Sequence, residues 1–513
     1  MSNKKRKILE KQGKRSLKLL GEVLTGMAKI AIYEPPQKQS QANRKGGSTP
    51  TTESEVNMAA HYIRLLKLIL PGILYEMSSL EDYRNEKRCV HTLPTLIVYG
   101  IIAFLALLPS RRATNREIGG ESAFTFLCEC IPELKTMPHA DTLARLLENI
   151  DVNGIEAKYE KMLVQFIKSD EFRKMNPGKC LIMVDGTQKY SLDYSFDEHA
   201  IGRHRGEEDR ERYCVYILES VLILGGGIVI PLLTETLEND GVRIDSEQAK
   251  QDCEQKAFKR LAERLSKVVG TGCATIVADG LYACGPVVSL CKYYGWGFMI
   301  VLKRKCLTSV WEDFDGLRKC EPENNLIAQW GERVQTYYWS NGIEYTYGNN
   351  HKRLSLNVVT CKEEWMNENP QKGGRAKRMV TEYAWLSSDV VTVQNVVLLC
   401  NEIARRRWRI ENHFKVEKHN GYGYSHVYSL NWNAMKGYHC LMKIAHFINT
   451  LIINSDITQE YVKVEGYRGF VEKAWRLVIS GRLNKVEITV LQTKQSKLFS
   501  RGSINYKALK LIA

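Results

Sequence analysis

The amino-acid sequence predicts a mixed α/β protein with a helical N-terminal region, and three observations lead to that prediction. Residues 56–175 repeat apolar side chains at helical spacing, as in "HADTLARLLENI". From residue 180, short apolar runs such as "CLIMVDG" and "CATIVADG" alternate with helical patterns, as strands and helices do in a mixed sheet. Between residues 305 and 392, aromatic and polar residues alternate, which indicates an all-β segment.

The N-terminal region is strongly basic. The 513 residues carry a formal net charge of +15, and residues 1–50 hold twelve Lys or Arg against three Glu, a local net charge of +9. Such a charge favours a polyanionic partner, either nucleic acid or an acidic membrane surface. Residues 1–55 have little apolar surface to bury, so we expect a flexible arm that is either DNA-contacting or merely solubilising.

Cysteine spacing and apolar runs exclude other classes of protein. None of the fourteen cysteines forms a C-x-x-C pair, so a structural zinc site is not expected. The apolar run between Pro94 and Pro109 is short for a membrane span and follows no secretory signal, so it predicts a buried helix in a cytoplasmic protein with free thiols. For residues 56–175, a helix-turn-helix-like domain and a plain helical bundle fit equally well.

Turn residues divide the predicted sheet into strands. Gly225–Gly227 predicts a tight turn between two strands, and Asn341-Gly342 predicts a hairpin turn within "VQTYYWSNGIEYTYG". Further strands are expected at "GFMIVLK", "RLSLNVVTC" and "YAWLSS". Helices are expected over 246–268, from about 285, and from about 394 to 419.

Three acidic residues are candidates for a metal site. Asp185 and Asp279 are each expected to end an apolar strand, and Glu411 lies in the basic helical stretch "RRRWRIENHFKVEKHNGYGYSHVYS". Three convergent carboxylates can bind two Mg²⁺ ions, which prefer hard oxygen ligands. In an ideal helix Arg407, Glu411 and Lys418 would lie within about 40° of one another. Glu411 would then bind a metal ion, while the neighbouring cations bind phosphates.

Together these residues resemble the DDE transposases of bacterial insertion sequences, in the class with a β-stranded insertion before the glutamate. "VDGTQ" and "VADGLY" match the strands of the first two acids. The glutamate pattern of that class, Y-x2-R-x3-E-x6-K, is matched by Arg407, Glu411 and Lys418, while its tyrosine position is Ala404. The resemblance covers about residues 180–430.

The resemblance implies an RNase H-like core in which Asp185, Asp279 and Glu411 are catalytic and bind two Mg²⁺ ions, with Mn²⁺ as a substitute. It implies cleavage at element ends and strand transfer into target DNA, by cut-and-paste through a hairpin. The expected partners are terminal inverted repeats and target DNA, bound by a homodimer, with no membrane. The expected DNA-binding residues are Arg405, Arg406, Arg407, Arg409, Lys415 and Lys418. A flipped base would stack on a tryptophan, for which Trp311, Trp330, Trp339 and Trp365 are candidates, although each also fits a packing role.

The predicted domain order follows from these assignments. It is a basic arm (1–55), a helical DNA-binding domain (56–175), the first part of the catalytic core (176–305), a β-stranded insertion (306–392), the second part of the core with the glutamate helix (393–445) and a C-terminal region expected to aid dimerisation (446–513). The expected location is the bacterial cytoplasm, at the nucleoid. The alternative function is a catalytically silent, transposase-derived DNA-binding protein.

Overall fold

The computed structural model describes residues 30–33, 52–204, 211–239, 252–367, 377–455 and 458–481. The chain divides into two compact units, the first formed by residues 1–41 with 275–408 and the second by residues 42–274 with 409–513. Most of the predicted basic arm, residues 1–29 and 34–51, lies outside the described residues.

Helices are combined with parallel and antiparallel strands, so the predicted mixed α/β class is confirmed. The strands are β1 (Ile30–Tyr33), β2 (Cys180–Leu192), β3 (Ile201–His204), β4 (Glu211–Ile223), β5 (Val229–Leu237), β6 (Ala274–Ala278), β7 (Gly297–Val301), β8 (Asn325–Trp330), β9 (Arg333–Tyr347), β10 (Lys352–Asn367) and β11 (Lys377–Ser387). The α-helices are α1 (Thr52–Met77), α2 (Leu93–Leu105), α3 (Arg111–Glu117), α4 (Glu121–Cys130), α5 (Ala140–Leu147), α6 (Val152–Lys168), α7 (Asp170–Met175), α8 (Glu254–Val269), α9 (Gly285–Tyr293), α10 (Thr308–Cys320), α11 (Trp408–His419), α12 (Trp432–Ile453) and α13 (Gln459–Ile479).

The predicted helical region contains α1 to α7, as expected. The apolar run between the two prolines forms α2, which begins where the Thr92 side chain accepts a hydrogen bond from the Thr95 amide. All of its residues except Pro94 are buried, so the prediction of a buried helix is confirmed. In α1, Asn57–Met77 is long and apolar enough to cross a membrane. However, 59% of its most apolar 18 residues are buried inside the protein, and a core helix of a soluble protein has the same features.

In the second unit, β4 is paired antiparallel with β2, β3 and β5. The turn predicted at Gly225–Gly227 joins β4 to β5, and Gly227 has the positive φ of 80° that favours glycine. The prediction that the first strand ends at Asp185 is wrong. β2 continues to Leu192 because its pairing with β4 extends that far along the chain.

In the first unit, the strand order is β1-β8-β9-β10-β11-β7-β6, with parallel pairing of β1 with β8 and of β6 with β7. The predicted hairpin turn at Asn341-Gly342 is wrong, because β9 runs through it. The two residues form a bulge opposite Asn357, whose side chain accepts a hydrogen bond from the Gly342 amide at 3.1 Å. The Asn341 side chain is bonded to both backbone polar groups of Val391, at 2.8 and 2.9 Å.

The helix predicted from about 394 to 419 is irregular in its first half. Leu398–Ile403 form a π-helical turn and Ala404–Arg407 a 3₁₀ turn, so that α11 begins only at Trp408. The described residues after 430 are mainly helical, in α12 and α13. Gly466, with a φ of 72°, interrupts α13.

Candidate functional site

Asp185 lies within β2, on the strand face that the C-terminal helices cover. Its register partner on β4 is Glu219, and directly opposed residues of an antiparallel pair share a face. Glu219 contacts His413 of α11 and Lys443 of α12, at 3.2 and 2.8 Å. Thr187, two residues after Asp185, also lies on this face. The candidate acid therefore lies on the same side of the sheet as the helix that carries Glu411.

Lys418 connects α11 directly to β2. Its ammonium group donates a hydrogen bond to the Thr187 hydroxyl at 2.6 Å. Glu411 and Lys418 are separated by seven residues, so their side chains leave α11 about 20° apart. The predicted arc is thus retained for these two residues. It does not hold for Arg407, which belongs to the 3₁₀ turn before the helix.

The opposite face of β2 is also closely covered, which explains the glycine after Asp185. A Cβ atom at Gly186 would stand 2.5 to 2.7 Å from the carboxylate of Glu254, in the first turn of α8. A larger residue here would displace the end of the Glu254 side chain. Strand alternation places this contact on the face away from the Asp185 side chain.

Asp279 is in the first unit, directly after β6, where the sequence predicted the strand to end. Its carboxylate accepts a hydrogen bond from the Leu281 amide at 2.8 Å and lies 3.3 Å from the ammonium group of Lys303. The side chain is 28% exposed. A metal ion bound here would replace the attraction to Lys303, whose side chain is 59% exposed and can turn to solvent.

The three predicted ligands suit Mg²⁺ in their chemistry. Asp185, Asp279 and Glu411 offer only carboxylate oxygens, and all three side chains are partly accessible to solvent. Mg²⁺ keeps several water ligands, so partial exposure agrees with such a site.

Beneath Glu411, α11 contributes to a buried ionic cluster, which we define as Glu219, His413, Glu417, Lys443 and His446. One oxygen of Glu417 lies 2.7 Å from the Lys443 ammonium, 2.7 Å from His446 Nδ1 and 3.2 Å from His413 Nε2. All five side chains are less than 5% exposed. The second oxygen of Glu417 has no hydrogen-bond partner among the described residues.

Charges within the ionic cluster stabilise one another. Burial would raise the pKa of Glu417, but the positive charges of Lys443 and His413 hold it well below its usual range. Burial and the neighbouring Glu417 would raise the pKa of Glu219, yet Lys443 and the hydrogen bond from His413 lower it. Burial would lower the pKa of Lys443, and the two carboxylates instead raise it. Burial lowers the pKa of His446 to about 4, which keeps this imidazole neutral.

His413, Glu417 and His446 also have the geometry of a metal-ligand set, with ligand atoms all within 4.8 Å of one another. However, the Lys443 ammonium lies 2.7 Å from Glu417 and 3.1 Å from His413 Nε2. A cation already stands where a metal ion would bind. In this arrangement Lys443, together with His413, offsets the charges of Glu219 and Glu417, as in a buried ion-pair network.

The residues predicted from the sequence did not include Glu219, Lys443 or His446. Glu219 is the single charged group of the apolar run "YILESVLIL". Lys443 and His446 are isolated from each other by apolar residues in the run "LMKIAHFINTLII". A lone ionisable residue within an apolar run is the signal that could have found them, since such residues are rarely buried without a partner.

The predicted DNA-binding arginines before α11 are largely engaged within the first unit. Arg405 was expected to face solvent or DNA, but it is only 15% exposed and is paired with the fully buried Glu363. Its guanidinium also lies 4.6 Å from the ring centre of Tyr383. Arg406 is paired with Glu402 at 2.7 Å, and the guanidinium of Arg407 lies 4.8 Å from the ring centre of Trp408.

The cations on α11 itself are more accessible. Arg409 and Lys415 are exposed, and Lys418 is half-buried at Thr187. Lys418 also borders a cleft of about 490 Å³ within the second unit. Its charged lining consists of Arg116, Glu117, Lys418, Arg468, Glu472 and Arg476. Four cations and two acids give this lining a net charge of +2, which favours an anionic ligand.

The aromatic candidates for base stacking are mostly covered. Trp311 and Trp339 are 5% and 3% exposed, as expected of packing residues. Trp330 and Trp365 are half-buried, with the guanidinium groups of Arg405 and Arg333 at 5.0 and 4.3 Å from their ring centres. Of the four, these two are the partly exposed ones.

No protein-family model matches this chain, and a comparison with curated proteins also gives no match.

Proposed function

We propose that this protein is a Mg²⁺-dependent DNA transposase of the DDE type, with an RNase H-like core. It would cleave the ends of a mobile element and join the freed 3′-hydroxyl to target DNA, acting as a homodimer. The observation that carries the proposal is the position of α11. The helix with Glu411 covers the β2 face with Asp185, and Lys418 bonds to Thr187 on that same face at 2.6 Å.

Each part of this arrangement has a chemical role in the proposal. Asp185, Asp279 and Glu411 would hold the metal, which supplies an activated water and stabilises the departing oxygen. Lys418 can transfer its hydrogen bond from Thr187 to a phosphate oxygen, because its side chain remains half-exposed beside the basic cleft. The exposed Arg409 and Lys415 would bind the DNA backbone without reading its sequence.

The test separates cleavage from binding. Asp185→Asn, Asp279→Asn and Glu411→Gln keep side-chain shape but remove a charge that attracts Mg²⁺. Nicking of DNA that carries the sequences flanking this gene is expected to fall by about 10²-fold or more in each variant. Affinity for the same DNA is expected to hold or rise, because each change removes a negative charge near phosphates.

Two matched controls come from exposed acids in ion pairs. Glu263→Gln in the second unit and Asp315→Asn in the first are expected to nick at the wild-type rate, since both residues are paired on the surface. If one of the three acid variants also nicks at the wild-type rate, that residue is not a metal ligand. Wild-type protein that binds the DNA but never nicks it would instead identify a catalytically silent DNA-binding protein.

A further inference from the structure

The glutamate helix has an unusually polar buried face. Among the residues of α11, only Ile410, His413 and Glu417 are buried. Helices usually dock through an apolar stripe, and the match of that stripe to its partner sets rotation and height. Here Ile410 is the one fully buried apolar side chain, and Phe414 and Val416 are only half-buried. Hydrophobic burial alone would therefore specify the position of α11 weakly.

The ionic cluster fixes the rotation and height of α11 on the sheet. Lys443 of α12 bonds Glu417 of α11 at 2.7 Å and Glu219 of β4 at 2.8 Å, so one ammonium joins three elements. His413, one turn before Glu417, adds a contact to Glu219 at 3.2 Å. A slip of α11 by one turn, about 5.4 Å, would break these contacts and leave buried charges unpaired.

The position of Glu417 also determines where Lys418 and Glu411 lie. Glu417 and Lys418 are consecutive, so the buried contact of the first fixes the reach of the second to Thr187. Glu411 leaves the helix within about 20° of Lys418. Any shift that releases Glu417 therefore displaces both residues from the β2 face that carries Asp185.

We infer that Glu219, Glu417 and Lys443 are positioning residues, which hold α11 in the one register that presents Glu411 and Lys418 to β2. The catalytic part of this inference rests on the proposed function. The structural part does not, since the register of α11 can be measured without any reaction. Buried ion pairs often add little stability compared with apolar residues, and fixing a register is a role for which they are better suited.

The experiment removes every charge of the trio while keeping its volume. The variant carries Glu219→Gln, Glu417→Gln and Lys443→Met. Its matched control is Arg264→Met with Glu156→Gln and Glu160→Gln, which neutralises another trio of two acids and one base in the same unit. Arg264 lies 2.9 Å from Glu156 and 2.7 Å from Glu160, joining α8 to α6 rather than to α11. Its third partner, Glu235 of β5, keeps a cation in the control variant because Arg260 lies 2.6 Å from it.

Two measurements are made on both variants. Amide hydrogen exchange over residues 408–419 is expected to accelerate about tenfold or more in the cluster variant, relative to α12 of the same protein. The kcat for nicking is expected to fall about tenfold or more, with KM within about twofold, because bound substrate meets a displaced Glu411. The control variant should change neither quantity.

Unchanged exchange in α11 of a folded cluster variant would overturn the inference. If that variant does not fold, Glu417→Asp is measured instead, since it keeps the charge but withdraws it from Lys443. Glu417→Asp should also accelerate exchange in α11, and unchanged exchange in this variant would likewise overturn the inference. If wild-type protein shows no nicking, the proposed function fails while the exchange experiment still decides the register.

Metal analysis tests the alternative that the ionic cluster is a metal centre. Purified wild-type protein is expected to contain far less than one equivalent of zinc, iron or manganese per chain. A stoichiometric metal that disappears in the cluster variant would show that His413, Glu417 and His446 form a metal centre, and the inference would be wrong.

Discussion

Removing the ammonium of Lys443 alone should lower the free energy of unfolding far more than removing the charges of Glu219, Glu417 and Lys443 together. Lys443→Met leaves Glu219 and Glu417 buried, with no lysine between them. Deleting one partner of a buried ion pair typically costs about 3–5 kcal/mol, whereas neutralising all partners often costs little. We therefore expect Lys443→Met to lose about 3–5 kcal/mol of unfolding free energy, and the neutral triple variant about 1 kcal/mol or less.

The loss in Lys443→Met should depend on pH, in a direction that follows from the carboxylates. In the wild-type protein the pKa values of Glu219 and Glu417 are lowered, so both contribute stability above the unfolded pKa of about 4.3 and lose it as the pH falls through the folded value. Without Lys443, burial and mutual repulsion raise both folded pKa values. The folded variant then takes up protons more readily than the unfolded chain, and its deficit should shrink from pH 8 to pH 5.

Urea unfolding at pH 5 and pH 8, followed by tryptophan fluorescence and circular dichroism, measures this difference. Wild type, Lys443→Met and the neutral triple variant are compared under identical conditions. Lys436→Met serves as the control, because Lys436 lies on the same helix and is paired with Glu238 at a half-exposed site. A deficit in Lys443→Met below about 1 kcal/mol, or one equal at both pH values, would mean that this ammonium is not the counter-ion of the cluster.

Two further predictions concern other parts of the chain. Burial would raise the pKa of Glu363, but the hydrogen bond from Gln335 and the charge of Arg405 lower it, so it stabilises the first unit above the unfolded pKa. Glu363→Gln should therefore flatten the loss of stability between about pH 5 and pH 3 in acid titrations, and a curve parallel to wild type would contradict this. In the basic cleft, replacing Arg116, Arg468 and Arg476 by Ala should reduce the slope of log affinity against log salt by up to about 2.7, the release of three counterions. An unchanged slope in DNA-binding titrations would place the DNA elsewhere.

The sequence predicted elements well where the signal was local. The β4–β5 turn at Gly225–Gly227 depends on glycine conformations, and the end of β6 at Asp279 coincides with an N-cap, as both sequences indicate. The turn at Asn341-Gly342 failed because a distant residue, Asn357, completes a bulge with it. Such a partner lies on another strand and leaves no mark in the local pattern.

For the candidate site, the sequence predicted three acids but not what surrounds them. The prediction of Asp185, Asp279 and Glu411 rests on strand and helix patterns that each occupy a few consecutive residues. The ionic cluster unites residues from three elements, with Glu219 and Lys443 separated by 224 positions. Pairing over that distance is a property of the fold, and one sequence contains no direct record of it. Arg405 was misjudged for the same reason, since its partner Glu363 lies on β10.

The ionic cluster explains how the exposed face of α11 stays positively charged although the helix carries two glutamates. Glu417 lies on α11 among several cations, yet its charge is balanced from within by Lys443 of α12. If Arg409 or Lys415 supplied that balance, each would be drawn into the interior and lost to a polyanionic ligand; both are exposed instead. Because Lys443 and His413 offset the two buried acids, the positive charge of Arg409 and Lys415 stays on the surface of α11. Glu411 is half-buried and Glu417 is buried, so under the proposed function Glu411 is the acid of this helix that a metal ion would reach.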